Sequence, residues 1–75
     1  MHKKIISYLE RNGWILRIDA CRVHLYTKEN EDILVPKTNN KSYKFVCAVA
    51  IEALAVIEGK TKAQIISVLK EIQGN

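Results

Sequence analysis

The run Phe45-Val46-Cys47-Ala48-Val49-Ala50-Ile51-Glu52-Ala53-Leu54-Ala55-Val56-Ile57 decides how the rest of the chain is read. Glu52 is its only polar member. A helix that is apolar on nearly every face is normally buried on nearly every face. The sequence therefore predicts a central helix with the remaining segments wrapped around it. The run is shorter than the roughly 18 apolar residues of a membrane-span candidate, so it is expected to lie in a protein core.

Downstream, Gly59 supplies a helix stop. Thr61-Lys62-Ala63-Gln64 fits a capping box, in which the threonine hydroxyl takes the backbone N–H of the glutamine and the glutamine side chain reaches back. A further helix is expected, with Ile65, Ile66, Leu69 and Ile72 inward and Gly74 at its end. Upstream, Lys37 to Ser42 is a polar connection, and Asn40 or Ser42 is placed to cap the central helix. Ile33-Leu34-Val35 reads as a short strand closed by Pro36, which cannot donate to a ladder, and Lys28 to Asp32 reads as a polar turn.

The period is two over residues 14–19 and 22–27. Trp14, Leu16 and Ile18 are expected on a core face, opposite Ile15, Arg17 and Asp19. In the second strand Val23 and Leu25 are expected inward, with Arg22, His24 and Tyr26 outward. Residues 2–12 read as a first helix, with Ile5, Ile6 and Leu9 on one face, Tyr8 at its edge and Asn12-Gly13 as its end. The layout is α-β-β-β-α-α: one α+β domain over residues 1–75, a three-stranded antiparallel sheet packed on the central helix and a C-terminal helical hairpin. One sheet face is expected to carry the core and the other to be open to water or a partner.

With 75 residues the chain has room for one small core. Its net charge of +4 is unevenly spread: from Phe45 onward Lys60, Lys62 and Lys70 balance Glu52, Glu58 and Glu71, so the excess lies in the N-terminal part. Such asymmetry suits an anionic partner, and it equally suits a basic protein with no nucleic-acid role. Cys21 and Cys47 lie far apart without metal-ligand spacing and read as small apolar side chains rather than a metal site or a disulfide. Met1-His2-Lys3-Lys4-Ile5-Ile6-Ser7 begins like a signal peptide, but its apolar run stops at once, and a cytoplasmic location without a membrane partner is expected. No motif calls for a cofactor.

The leading candidate site is the outer face of the first hairpin. There Arg17, Arg22, His24 and Tyr26, with Lys28 and Lys37 nearby, would offer cations for phosphate and a ring for stacking on a base. The alternative is a solvated sheet face with Asp19 paired to Arg22. His24 is a weak catalytic candidate: its ordinary pKa suits acid–base work, but no orienting carboxylate or nucleophile is evident beside it. A second candidate is the Lys37–Lys44 connection, where Lys37, Lys41, Lys44 and the helix N-terminus would attract an anion. Glu52 is expected at a gap, in an ion pair or at an interface.

Tyr8-Leu9-Glu10-Arg11-Asn12-Gly13-Trp14, the strand carrying Arg17, His24-Leu25-Tyr26 and Ile33-Leu34-Val35-Pro36 together resemble the start of HicA-type toxins. These are small RNA-cleaving proteins with a double-stranded-RNA-binding-like fold. The resemblance covers about the first half of the chain and implies an α-β-β-β-α topology with a sheet suited to RNA. That family carries Gly-Ser-His before its second strand, with the histidine catalytic; here Cys21-Arg22-Val23 stands in that place and His24 comes one residue later. Three functions are therefore expected to compete. The first is binding of RNA or other nucleic acid through the hairpin. The second is a protein-interaction module, such as a small regulator, inhibitor or toxin–antitoxin component, docking by its open sheet or self-associating through the central helix. The third is a HicA-like ribonuclease using His24.

Overall fold

The computed structural model describes residues 1–38 and 41–72. The element order is α1 (His2–Arg11), β1 (Ile15–Asp19), β2 (Val23–Lys28), β3 (Glu31–Pro36), a 3₁₀ turn (Lys41–Tyr43), α2 (Lys44–Glu58) and α3 (Lys62–Glu71). The strands form an antiparallel meander in the order β1-β2-β3. The α-β-β-β-α-α layout and the α+β class are those expected from the periodicity. No helix among the described residues is long and apolar enough to cross a membrane.

α1 buries Ile5 and Leu9 as expected and Tyr8 with them, while Ile6 is half-buried, and the helix turns into β1 through Gly13 at φ 86°, with Trp14 N–H donating to Leu9 O at 2.9 Å. Gly59, at φ 66°, ends α2 in the left-handed conformation that glycine adopts without a Cβ penalty. The Thr61 capping box is present: Gln64 N–H donates to Thr61 Oγ1 at 3.1 Å and Thr61 N–H to Gln64 Oε1 at 2.9 Å. α3 buries Ile65 and Leu69, and Ile72 follows in extended backbone. The helix ends at Glu71; Gly74, the expected stop, lies outside the described residues.

The helices occupy one side of the sheet. α2 packs on β3 and α3, and α1 packs on α3 and β3. Tyr8 donates its hydroxyl to Glu58 Oε1 at 2.6 Å, tying α1 to the end of α2, and Tyr26 donates to Glu10 Oε2 at 3.1 Å, tying α1 to the sheet. Burial, reinforced by these carboxylates, pushes both phenols up to about 12.

Four expectations need correction. α2 is not wrapped on all sides: it buries Ala50, Ile51, Leu54 and Ala55, whereas Phe45, Val49, Val56 and Ile57 are exposed, because β3 and α3 cover only part of its circumference. Its N-cap is Tyr43, without a side-chain cap hydrogen bond. Ser42 belongs to the preceding 3₁₀ turn, and Asn40 lies outside the described residues. β3 starts at Glu31, two residues earlier than its apolar core, because the turn after β2 is only Glu29-Asn30: Lys28 pairs with Glu31. Glu29 adopts φ 56°, the positive value that a tight two-residue hairpin turn asks of its first central residue in the II′ form. Fourth, the inward and outward faces of β2 are exchanged relative to the prediction, and the candidate site changes with them.

Candidate interaction surface

Register fixes which side chains share a face. Tyr26 stands opposite Ile33 on β3 and Leu16 on β1, and His24 stands opposite Val35. Ile33 and Val35 are buried against the helices, so the Tyr26 and His24 side of β2 faces the core. Tyr26 is only 2% exposed. Leu25 stands opposite Leu34, and Thr27 opposite Asp32, on the other side. Period two does not tell which of the two faces of a strand is the inner one; when both carry apolar residues, packing decides.

β1 adds a second change. Its register shifts between Leu16 and Ile18, so that Leu16 opposes Tyr26 but Ile18 opposes Leu25. This bulge carries Ile18 from the expected core face to the outer one. The outer face therefore bears Ile15, Ile18, Leu25 and Leu34, crossed by an Arg17–Asp32 ion pair at 3.6 Å. Ile15 is 68% exposed, and Ile18 and Leu34 are each 51% exposed. All five residues of β1 are exposed, since β1 has β2 as its one substantial packing neighbour among the described residues.

The apolar surface continues past β3 onto α2. Leu25 and Leu34 share a shallow groove with Val49 and Ala53, and the next groove along α2 is lined by Val49, Ala53, Val56 and Ile57 with Glu31, Asp32 and Glu52 at its rim. Glu52, the one polar residue of the run 45–57, thus lies at the edge of this surface.

The six residues expected to grip nucleic acid are brought together only in part: His24 meets Tyr26 and shares Asp19 with Lys37, whereas Arg17, Arg22 and Lys28 make none of these contacts. Arg17 is on the outer face, paired with Asp32. Tyr26 is in the core and holds Glu10. Arg22 lies in the exposed turn between β1 and β2, its Nη1 3.5 Å from the Tyr43 hydroxyl, a contact that raises its pKa further. Lys28 is exposed at the far end of β2. Lys37 is paired to Asp19, and that hydrogen bond is the first cause of an Asp19 pKa below the usual carboxylate range. The expected Asp19–Arg22 pair is replaced by Asp19 with Lys37 and His24.

His24 Nδ1 lies 3.3 Å from Asp19 Oδ1 across the β1–β2 ladder, without the alignment of a hydrogen bond, and its ring meets Tyr26 edge-on at a centroid distance of 5.9 Å. The bulge is the reason: it sets Asp19 directly opposite His24 on the core-facing side, whereas the sequence reading places both on the outer face with Asp19 paired to Arg22. A carboxylate beside His24 was thus missed in the sequence. Among the described residues no three His, Cys, Asp or Glu side chains are grouped to hold a metal ion. Cys21 is exposed and Cys47 half-buried; burial pushes the Cys47 thiol up.

At the second candidate, Lys41 and Lys44 are exposed, while Thr38, Tyr43, Lys44, Cys47, Ala48 and Ile51 line a mainly apolar groove of about 560 Å³ with Met1. Residues 39 and 40 of that connection lie outside the described residues. The groove's lining does not resemble an anion cradle.

Fold and surface together define a small α+β domain with one sheet face closed by helices and the other apolar and open. Comparison with protein-family models, curated proteins and solved structures returns no match.

Proposed function

We propose that this protein is a protein-interaction module that docks through the outer face of its sheet and the adjoining side of α2. The observation that carries this reading is the row Ile18–Leu25–Leu34, set across three strands and continued by Val49 and Ala53. An exposed apolar area of this kind, crossed by one Arg17–Asp32 pair and bordered by Glu52, is what protein-binding faces present. Nucleic-acid binding through the hairpin draws less support. Its stacking ring, Tyr26, is buried, and Arg17 and Lys37 each have a carboxylate beside them.

The test is affinity capture with the wild-type chain and with Leu34→Glu, each shown by circular dichroism to be folded, after nuclease treatment and in raised salt. Capture of a protein that persists in salt and is lost with Leu34→Glu is expected. Binding that disappears with salt and survives Leu34→Glu would instead assign the surface to a polyanion.

A second reading rests on one contact, Asp19 beside His24. In a HicA-like ribonuclease, His24 would move the proton and Asp19 would hold the imidazole. RNA loss on expression that His24→Ala and Asp19→Asn both cure is the expected result. Toxicity unchanged in His24→Ala would remove this reading.

A further inference from the structure

The geometry points to a second copy of the same chain as the occupant of this face, packed sheet to sheet about a two-fold axis parallel to the strands. This inference rests on the interaction-module reading above and names its partner. Three features of the face carry it.

The first is shape. A two-fold interface needs a surface complementary to itself. Here one margin projects and the other recedes. β1 presents Ile15 and Ile18 as exposed knobs, and the opposite margin is the groove of Leu25, Leu34, Val49 and Ala53. An axis parallel to the strands, between β1 and that groove, sets the knobs of each copy over the groove of the other. Ala53 keeps the floor of the groove open to an isoleucine side chain.

The second is charge. Arg17 marks the β1 margin, and Asp32 and Glu52 border the α2 margin. The same rotation brings Arg17 of each copy over Asp32 and Glu52 of its mate. The intrachain Arg17–Asp32 contact is loose, 3.6 Å between side chains 59% and 48% exposed, so it exchanges readily for an intermolecular one.

The third is area. Ile15, Ile18, Leu34, Val49, Val56 and Ile57 together expose on the order of 500 Å² of apolar surface, near the top of the roughly 300–600 Å² seen for the largest patch of a monomer. With Arg17, Thr27, Asp32 and Glu52 around them, the face approaches the about 800 Å² per partner of a standard interface. Pairing of two β1 edges is the competing arrangement. The bulge at Arg17 interrupts the ladder there and twists the edge, which works against strand addition and leaves the face as the contact.

Sedimentation of the full chain over a range from low to several hundred micromolar tests this. The wild type is expected to form a dimer in the micromolar range, and Leu34→Glu is expected to be folded and monomeric throughout. Arg17→Asp alone puts like charges at both symmetric contacts, and so does Asp32→Arg alone; each should weaken the dimer at least tenfold. Mixed together, the two variants set the introduced aspartate of one chain against the introduced arginine of the other at one contact, and the unaltered Asp32 against the unaltered Arg17 at the second. A heterodimer of wild-type strength is therefore expected. A role confined to folding of one chain would not produce that rescue. A monomer at every concentration overturns the second-copy assignment. If Leu34→Glu still abolishes capture of a different protein, the interaction reading survives with another partner; if it leaves capture unchanged, both fail. A dimer that persists in Leu34→Glu overturns the face-to-face contact in favour of the β1 edge.

Discussion

Replacing Tyr26 distinguishes the observed faces of β2 from the alternation read off the sequence. The ring is 2% exposed and lies in the core with Ile33, Val35 and Leu9. A fully buried aromatic removes roughly 150–250 Å² from water. At about 25 cal/mol per Å² that is about 4–6 kcal/mol, an upper figure that a compact unfolded state lowers by roughly 10–40%. Tyr26→Ala is therefore expected to cost about 3–5 kcal/mol, the range typical of aromatic truncation in a core. A chain of this length has only about 4–11 kcal/mol in total, so the variant should be close to unfolding. Tyr26→Phe keeps the ring and removes the hydroxyl donated to Glu10. Glu10 is exposed and its carboxylate rehydrates, so about 1 kcal/mol is expected. Leu34→Ala, at a half-exposed outer position, should cost below about 1.5 kcal/mol. Urea titrations followed by Trp14 fluorescence would measure all three, at protein concentrations low enough to keep association out of the equilibrium. A Tyr26→Ala cost under about 1 kcal/mol, with Leu34→Ala costing 3 kcal/mol or more (a ~3 kcal/mol core-type loss), would refute the face assignment.

Two further outcomes are expected. Tyr8 and Tyr26 titrate near 12 in the folded state, against an ordinary 10, so their neutral forms favour folding fully below pH 10. As pH rises from 10 toward 12 the unfolded chain loses these protons first, and each tyrosine withdraws on the order of 1.4 kcal/mol of stability per pH unit. Alkaline unfolding curves should therefore be shallower in Tyr8→Phe, and an unchanged slope would argue against the buried Tyr8–Glu58 contact. Glu29→Gly relieves a positive φ that costs a side-chain-bearing residue about 1–2 kcal/mol, offset by about 0.5–1 kcal/mol of added chain entropy. A net gain of up to about 1.5 kcal/mol, read as a rise in Tm of up to roughly 6–12 °C, is expected; a fall would mean the turn does not need that conformation.

The candidate surface was only partly legible because its signals were local and its geometry was not. Apolar side chains on both faces of β1 and β2 were plain to see, and they are the signal by which the outer patch could have been found. Alternation alone assigned Val23 and Leu25 inward and Tyr26 outward, and no local rule contradicts that choice. Tyr26 is drawn inward because its ring packs in the core with Ile33, Val35 and Leu9, where Glu10 on α1, 16 residues away, accepts its hydroxyl. The Asp19–His24 contact was equally hidden, since it exists only once the register slips by one residue between Leu16 and Ile18. Of the six basic and aromatic candidates, His24, Tyr26 and Lys37 meet around Asp19 and the core side of β2, while Arg17 and Lys28 lie elsewhere on the sheet.

By itself the sequence determined what short-range physics controls. Gly13 and Gly59 end helices because the left-handed conformation costs them no Cβ clash. Thr61 and Gln64 start α3 because four adjacent residues satisfy two orphan N–H groups among themselves. Element order, helix stripes and the meander follow from such local preferences. Only the tertiary structure decided how much of α2 is covered, which side of the sheet meets the helices, and that the other side is left apolar and open. Those outcomes depend on how much partner surface three helices and three strands can supply. In a chain of 75 residues, one layer of helices covers one face of the sheet and leaves the outer face and part of α2 uncovered.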